Sequence, residues 1–194
     1  NRLGVERLRA LCDKYGRDTM LAAGKALQDY AERKMRAGIA SIPDGTYRFS
    51  DSFDNPEIDE PLTFSVAITV AGEEMRLAFD SPPQMRAGFN MVYTALLSTV
   101  YYAVKTVADP TIPPNAGLAR PLTVTATEGT VLNCVHPAAV NGRIAACQRV
   151  VDLIHGALAQ AVPDRVIAAC SGAVASATFA GEQPGSGELW VYLE

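Results

Sequence analysis

Residues 62–80 read LTFSVAITVAGEEMRLAFD, and their alternation decides the fold class. Leu62, Phe64, Val66, Ile68 and Val70 alternate strictly with Thr63, Ser65, Ala67 and Thr69, the period of a strand with one buried face. Ala71-Gly72-Glu73-Glu74 supplies a turn, and Met75, Leu77 and Phe79 carry the alternation back. The stretch is predicted to be a β-hairpin.

Upstream of it, Pro43-Asp44-Gly45 is a turn, Tyr47 and Phe49 alternate with polar neighbours, and DSFDNPEIDEP at 51–61 reads as an acidic loop. Before Ile42 the period becomes helical. Leu8, Leu11, Cys12 and Tyr15 share one face of a helix over 3–15 that Gly16 closes. Asp18 then caps a second helix carrying Met20, Ala23, Leu27, Tyr30 and Ala31, with Gly38 as its stop. Two such helices predict a helical hairpin over 1–41, followed by an α+β domain over 42–194.

Downstream, residues 91–104 are the most apolar run and predict a buried helix, too short for a bilayer and interrupted by Thr94, Ser98 and Thr99. ADPTIPPNAGLARPLTVTATEGTVLNCVHPAAVNG follows at 108–142. Its prolines fix φ and remove amide donors, so most of it cannot be helix. Short strands are expected at Leu122, Val124 and Ala126 and at Val131-Leu132. Ile144, Cys147, Val151, Ile154 and Leu158 mark a second apolar helix that stops before Pro163. Two further strands, around Val174 to Phe179 and Leu189 to Leu193, flank the loose segment GEQPGSGE. The fold class is α+β: an N-terminal helical hairpin, antiparallel β-hairpins and two buried helices.

Composition narrows the partners. The chain has 194 residues, a formal net charge of −4, 48% hydrophobic and 20% charged residues, ordinary globular values. The acidic balance argues against a nucleic-acid partner, and no membrane partner is expected. Cys12, Cys134, Cys147 and Cys170 are scattered without a CxxC pair, which suits a reducing cytoplasm.

General chemistry is incomplete. With His136 and His155 as its two histidines, the chain offers no His-rich metal centre. His155 falls on or beside an apolar helix face and reads as a core or helix-surface histidine. His136, in a loop, is better placed for function. Cys134 is two residues away but reads as a small buried hydrophobe rather than a nucleophile. Ser171-Gly172 lacks a nucleophile elbow, and Gly185-Ser186-Gly187 has no strand before it or lysine after it to cradle phosphate. Asp51, Asp54 and Asp59 read as solvated carboxylates. Asp80 ends a strand, where it either presents an acid to a cleft or caps its own turn. Asn90 is placed to cap the buried helix or to line the same cleft.

Five segments together carry a family resemblance: AERKMR with IPDGTY within 31–47, LAFDSPPQMRAGFN at 77–90, PPNAGLARPLTV at 113–124, EGTVLNCVHPAAVNGR at 128–143 and QRVVDLIHGALAQAVPDRVIAA at 148–169. In that order they resemble the hydantoinase B/oxoprolinase family. Ser81-Pro82 and Cys134 depart from the family's usual residues. The resemblance implies an ATP-dependent amidohydrolase that opens hydantoin, 5-oxoproline or lactam rings, with the nucleotide handled by a hydantoinase A-type ATPase partner. It further implies a central slice of a longer polypeptide, with ATP and a divalent metal in the intact complex but no cofactor, metal ligand or catalytic residue in this chain. Asp80, Asn90, Asn115, Arg120 and His136 are the substrate-binding candidates, Arg120 because a guanidinium fork suits carboxylate or phosphate; equally, it could pin its loop. The chain alone is expected to hydrolyse neither ATP nor a hydantoin. The rival readings are the acetone/acetophenone-type carboxylase branch and a non-catalytic interaction module.

Overall fold

A computed structural model, which describes residues 1–54, 58, 60–169, 172 and 177–193, places the hairpin at the centre of a four-stranded sheet. The strands are β1 (Gly45–Phe53), β2 (Leu62–Ala71), β3 (Glu74–Asp80) and β4 (Leu122–Ala126), in the order β1-β2-β3-β4. The register puts Val66 opposite Phe79, Ile68 opposite Leu77 and Val70 opposite Met75, so the large apolar side chains of the hairpin share one face. Phe64, Ile68, Met75 and Leu77 are buried almost completely there. At the turn, Gly72 takes φ 60, which glycine adopts without strain, and donates its N–H to Asp44 Oδ1 at 2.8 Å.

Two differences from the expected strands have plain causes. β1 pairs antiparallel along its whole length, so Asp51 lies within a strand rather than an acidic loop. β4 runs parallel to β3, because the chain between them crosses over through a helix instead of a tight turn. Val131 and Leu132 are fully buried, but they form a tight turn bridged from Thr130 to Asn133, not a strand.

Both expected N-terminal helices are present: α1 (Arg2–Tyr15) and α2 (Arg17–Ala40), meeting at Gly16, whose N–H bonds the Cys12 carbonyl at 2.8 Å. They differ in what holds them. α1 buries no residue, whereas α2 sends Ala31, Met35 and Ile39 into the core. At roughly 1.5–3 kcal/mol for each fully buried large side chain, Met35 and Ile39 anchor α2 strongly. Asp18 is not the cap but sits in the first turn, where its charge favours the helix dipole. Gly38 is not the stop: α2 continues to Ala40, and a β-carbon at Gly38 would lie 2.8 Å from Ala108. The glycine is there for helix-to-helix contact.

α3 (Tyr93–Ala108) and α4 (Arg143–Leu158) pack against each other, and α4 lies on β1 and β2. α4 buries Ala146, Val150, Leu153, Ile154, His155, Ala157 and Leu158, while Ile144 stays exposed. Ile154 and Leu158 of the expected face are thus buried and Cys147 and Val151 pack against the core, while Gly156 seats the Phe49 ring, 2.7 Å from where a β-carbon would be.

β5 (Thr178–Glu182) and β6 (Leu189–Leu193) form a separate two-stranded sheet. The expected strand around Val174 to Phe179 is met from Thr178 onward; residues 174–176, like Cys170, Ser171 and Asp59, lie outside the described residues. Among the described residues, no helix is long and apolar enough to cross a membrane.

Candidate functional site

Two loops far apart in the chain are stitched into one crest beyond the sheet. Residues 81–92 follow β3 and residues 127–142 follow β4. Pro82, Pro83 and Pro137 donate no N–H, so neither loop can settle into a regular ladder. Instead they trade irregular backbone bonds: Val131 N–H to Pro82 and Gln84 N–H to Gly129 at 2.9 Å, Met91 N–H to Val131 at 2.7 Å, Cys134 N–H to Met91 at 2.9 Å and Gly142 N–H to Gly88 at 2.8 Å.

Side-chain amides finish the work. Gln84 Oε1 accepts the Val135 N–H at 2.8 Å, and its Nε2 donates to the Val135 and Pro137 carbonyls at 3.1 and 3.4 Å. Asn90 has no exposed surface. Its Oδ1 accepts the Met85 N–H at 2.9 Å, and its Nδ2 donates to Met85, Ala87 and Ala139 carbonyls at 2.8, 3.1 and 2.8 Å. The crest leaves an open hollow of about 460 Å³, lined by residues 84–86 and 136–139. Arg86 and His136 are exposed upon it, and among the described residues no carboxylate lines it.

The five candidate residues are thus divided among three places. His136 lines the hollow and Asn90 braces its floor. Asp80 is exposed at the end of β3, opposite Ser65. It lines another open hollow, of about 500 Å³, that also meets Arg48 across the small outward residues Ser65, Ala67 and Ala78. Among the described residues Asp80 makes no hydrogen bond that caps its turn, and the neighbouring Ser81 hydroxyl ties the loop to residues 127–142 by accepting the Leu132 N–H at 3.2 Å.

Asn115 and Arg120 face α2 instead. Asn115 Oδ1 caps the short 3-10 turn Ala116–Ala119 through the Gly117 N–H at 2.8 Å, and its Nδ2 donates to the Leu27 carbonyl at 3.3 Å. Arg120 Nη1 donates to Asp29 and Glu32, both at 2.8 Å, and Nη2 to Gln28 Oε1 at 3.0 Å. Of its two readings, Arg120 fulfils loop pinning, toward carboxylates rather than carbonyls.

Charge follows this geometry. Lys25, and after it Arg120, hold the Asp29 carboxyl down at about 2 through hydrogen bonds. Arg120 and Arg36 likewise lower Glu32. Burial pushes the Cys134 thiol up, which keeps it protonated and a poor nucleophile. Burial pulls His155 down, and its Nε2 lies 3.0 Å from Thr106 Oγ1 on α3.

No three of the described His, Cys, Asp and Glu residues converge to hold a metal ion, so they do not fit a divalent-metal centre. Gly185-Ser186-Gly187 belongs to the β5–β6 turn, where the Gln183 N–H bonds the Glu188 carbonyl at 2.8 Å.

Sequence reasoning passed over Gln84, Arg86 and Arg149. Arg149, on α4, bonds Asp51 of β1 at 2.6 Å, an ion pair between helix and strand that no local spacing announces. Gln84 and Arg86 stand inside the QMR of the 77–90 segment, and the flanking prolines were the available signal that side chains would order that loop.

Comparison with known proteins places these features in a context. The Hydantoinase B/oxoprolinase family model matches residues 1–194. A protein of Pseudomonas sp. (strain NS671), named as the B-type component of a D-/L-hydantoinase, is 32% identical, covering 100% of this chain and 34% of its own length. The beta component of the caprolactamase of Pseudomonas jessenii is 31% identical, covering 94% and 32% respectively. A crystal structure of the ATP-dependent caprolactamase from Pseudomonas jessenii superimposes with a TM-score of 0.77 at 28% identity, over 98% of this chain and 33% of that one. The chain spans about a third of the length of the relatives it matches.

Proposed function

Because the chain belongs to the hydantoinase B/oxoprolinase family, we propose that it forms part of the B-type component of an ATP-dependent amidohydrolase that opens cyclic amides, whether hydantoin, 5-oxoproline or lactam rings. The observation that carries this reading is the family match along the whole chain, joined by relatives named for hydantoin and caprolactam chemistry. The crest built from residues 81–92 and 127–142 is its cleft wall. ATP is handled by a hydantoinase A-type partner in the cytoplasm, and the divalent metal is held outside the described residues.

The test is reconstitution. The longer B-type polypeptide containing this segment, combined with its ATPase partner, is expected to consume caprolactam, hydantoin or 5-oxoproline only when ATP is present. The 194-residue chain alone is expected to turn over neither ring nor ATP. Bicarbonate-dependent consumption of a ketone, with every ring left intact, would move the protein to the carboxylase branch.

A second reading has its own support. Asn90, Asn115 and Arg120 all direct their polar atoms into structural bonds, as a scaffold or interaction module requires. In that reading this segment shapes the larger protein and supplies no reacting group. Substitutions at Arg86 and His136 would then leave turnover by the reconstituted complex unchanged.

A further inference from the structure

We propose that α1 is a docking helix, whose apolar stripe seats in an acid-rimmed apolar groove on the remaining part of the same B-type polypeptide. Leu8, Leu11 and Tyr15 follow one another at the i, i+3, i+7 spacing by which a helix lays one face into a groove. They stand 56%, 43% and 51% exposed, with Val5 at 49% beside them. α1 spans 14 residues and buries none. A helix so short is marginal in water on propensity alone, and most helical stability in proteins comes from packing such a face. Among the described residues the stripe has no counterpart.

Charge says what the counterpart is. At about 3.6 residues per turn, Arg7 and Lys14 border the stripe on one side and Arg9 and Arg2 on the other, while Glu6 and Asp13 fall on the opposite face. Arg2 pairs with Glu6 at 2.9 Å. None of the ion pairs among the described residues uses Arg7, Arg9 or Lys14. A groove with carboxylates along its rims complements these cations. A second copy does not, because two α1 helices laid stripe to stripe in either direction set cations against cations. The remaining polypeptide is the occupant because the chain spans only about a third of the length of the relatives it matches. A surface tethered in the same polypeptide is also present at high effective concentration.

This inference rests on the reading of the chain as part of a longer B-type polypeptide. Hydrogen exchange over residues 2–15 is measured by mass spectrometry in the 194-residue chain and in that longer polypeptide, both without the ATPase component. Exchange in α1 is expected to be about a hundredfold slower, or more, in the longer polypeptide. Leu8→Ser with Leu11→Ser should abolish the added protection, and Arg7→Glu with Lys14→Glu should reduce it about tenfold. Asp13→Asn, on the opposite face, should leave it unchanged. All five side chains are exposed in this chain, and circular dichroism of the variants checks that the fold is retained.

Equal exchange in the two polypeptides would overturn the proposal. So would protection that appears only with the ATPase component, with phosphatidylglycerol vesicles or with rising protein concentration, since each names another occupant. Full protection in the Arg7→Glu, Lys14→Glu variant would overturn the acidic rim. Failure of the family reading is seen separately, as a reconstituted complex that opens no ring with ATP.

Discussion

A β-carbon on Gly117 would stand 1.9 Å from the carbonyl oxygen of Gln28. The neighbour is helix backbone, which cannot step aside as a flexible side chain would. Gly117 thus lets the loop lie flat on α2, with Asn115 bonded to Leu27 on one side and Arg120 to Gln28, Asp29 and Glu32 on the other.

Gly117→Ala should therefore separate the loop from α2 and cost about 3 kcal/mol, at the upper end of overpacking penalties. Urea unfolding is the measurement. A loss below about 0.5 kcal/mol, the range of an ordinary surface change, would show that the contact is not tight.

Arg120→Gln should let Asp29 recover part of its ordinary acidity. The recovery is partial because the Lys25 hydrogen bond is the larger cause of the depression from 3.8 to about 2. The folded value lies below the unfolded one, so the stabilisation is present above 3.8 and is lost as pH falls toward about 2. Carbon-detected NMR titration of the Asp29 carboxyl reads this directly. An unchanged titration in the variant would mean Arg120 contributes nothing there.

Asn90→Ala would take away the partner of the Met85 N–H and of three carbonyls, all held by a side chain with no exposed surface. Leaving buried polar groups unpaired costs about 1–3 kcal/mol each before relaxation, so a loss of about 3 kcal/mol is expected in chemical denaturation. Faster hydrogen exchange at Met85 should accompany it. Wild-type exchange at Met85 would contradict the bracing role.

His155 predicts a different pH dependence. Burial favours its neutral form, so its folded pKa lies below the ordinary 6.5. As pH falls below 6.5 the unfolded chain takes up the proton first, and stability declines until the folded pKa is passed. Melting temperatures from about pH 8 to about pH 5 should fall less steeply in His155→Gln, which keeps a donor for Thr106. Parallel curves for the two proteins would exclude His155 as the source.

Much of this was legible locally. The hairpin at 62–80 announced its buried face by alternation, and the strand register follows from it. Gly16, the apolar run of α3 and the proline density of 108–142 likewise marked where helices end, bury or cannot form. The candidate site was legible only as two rigid polar loops. That Asn90 is wholly internal, and that Gln84 ties 81–92 to 127–142, depends on contacts between residues 49 and 51 positions apart.

By itself, the sequence determined the α+β class, the hairpin and its inward face, the helices and the family, because periodicity, glycine and proline act on neighbouring residues. Only the tertiary structure decided that β4 joins in parallel and that Arg120 and Asn115 bond to α2. It also decided that Arg86 and His136 line one hollow. Such outcomes depend on which distant surfaces meet, and a polar side chain carries no local mark of whether its partner will be a helix or a ligand.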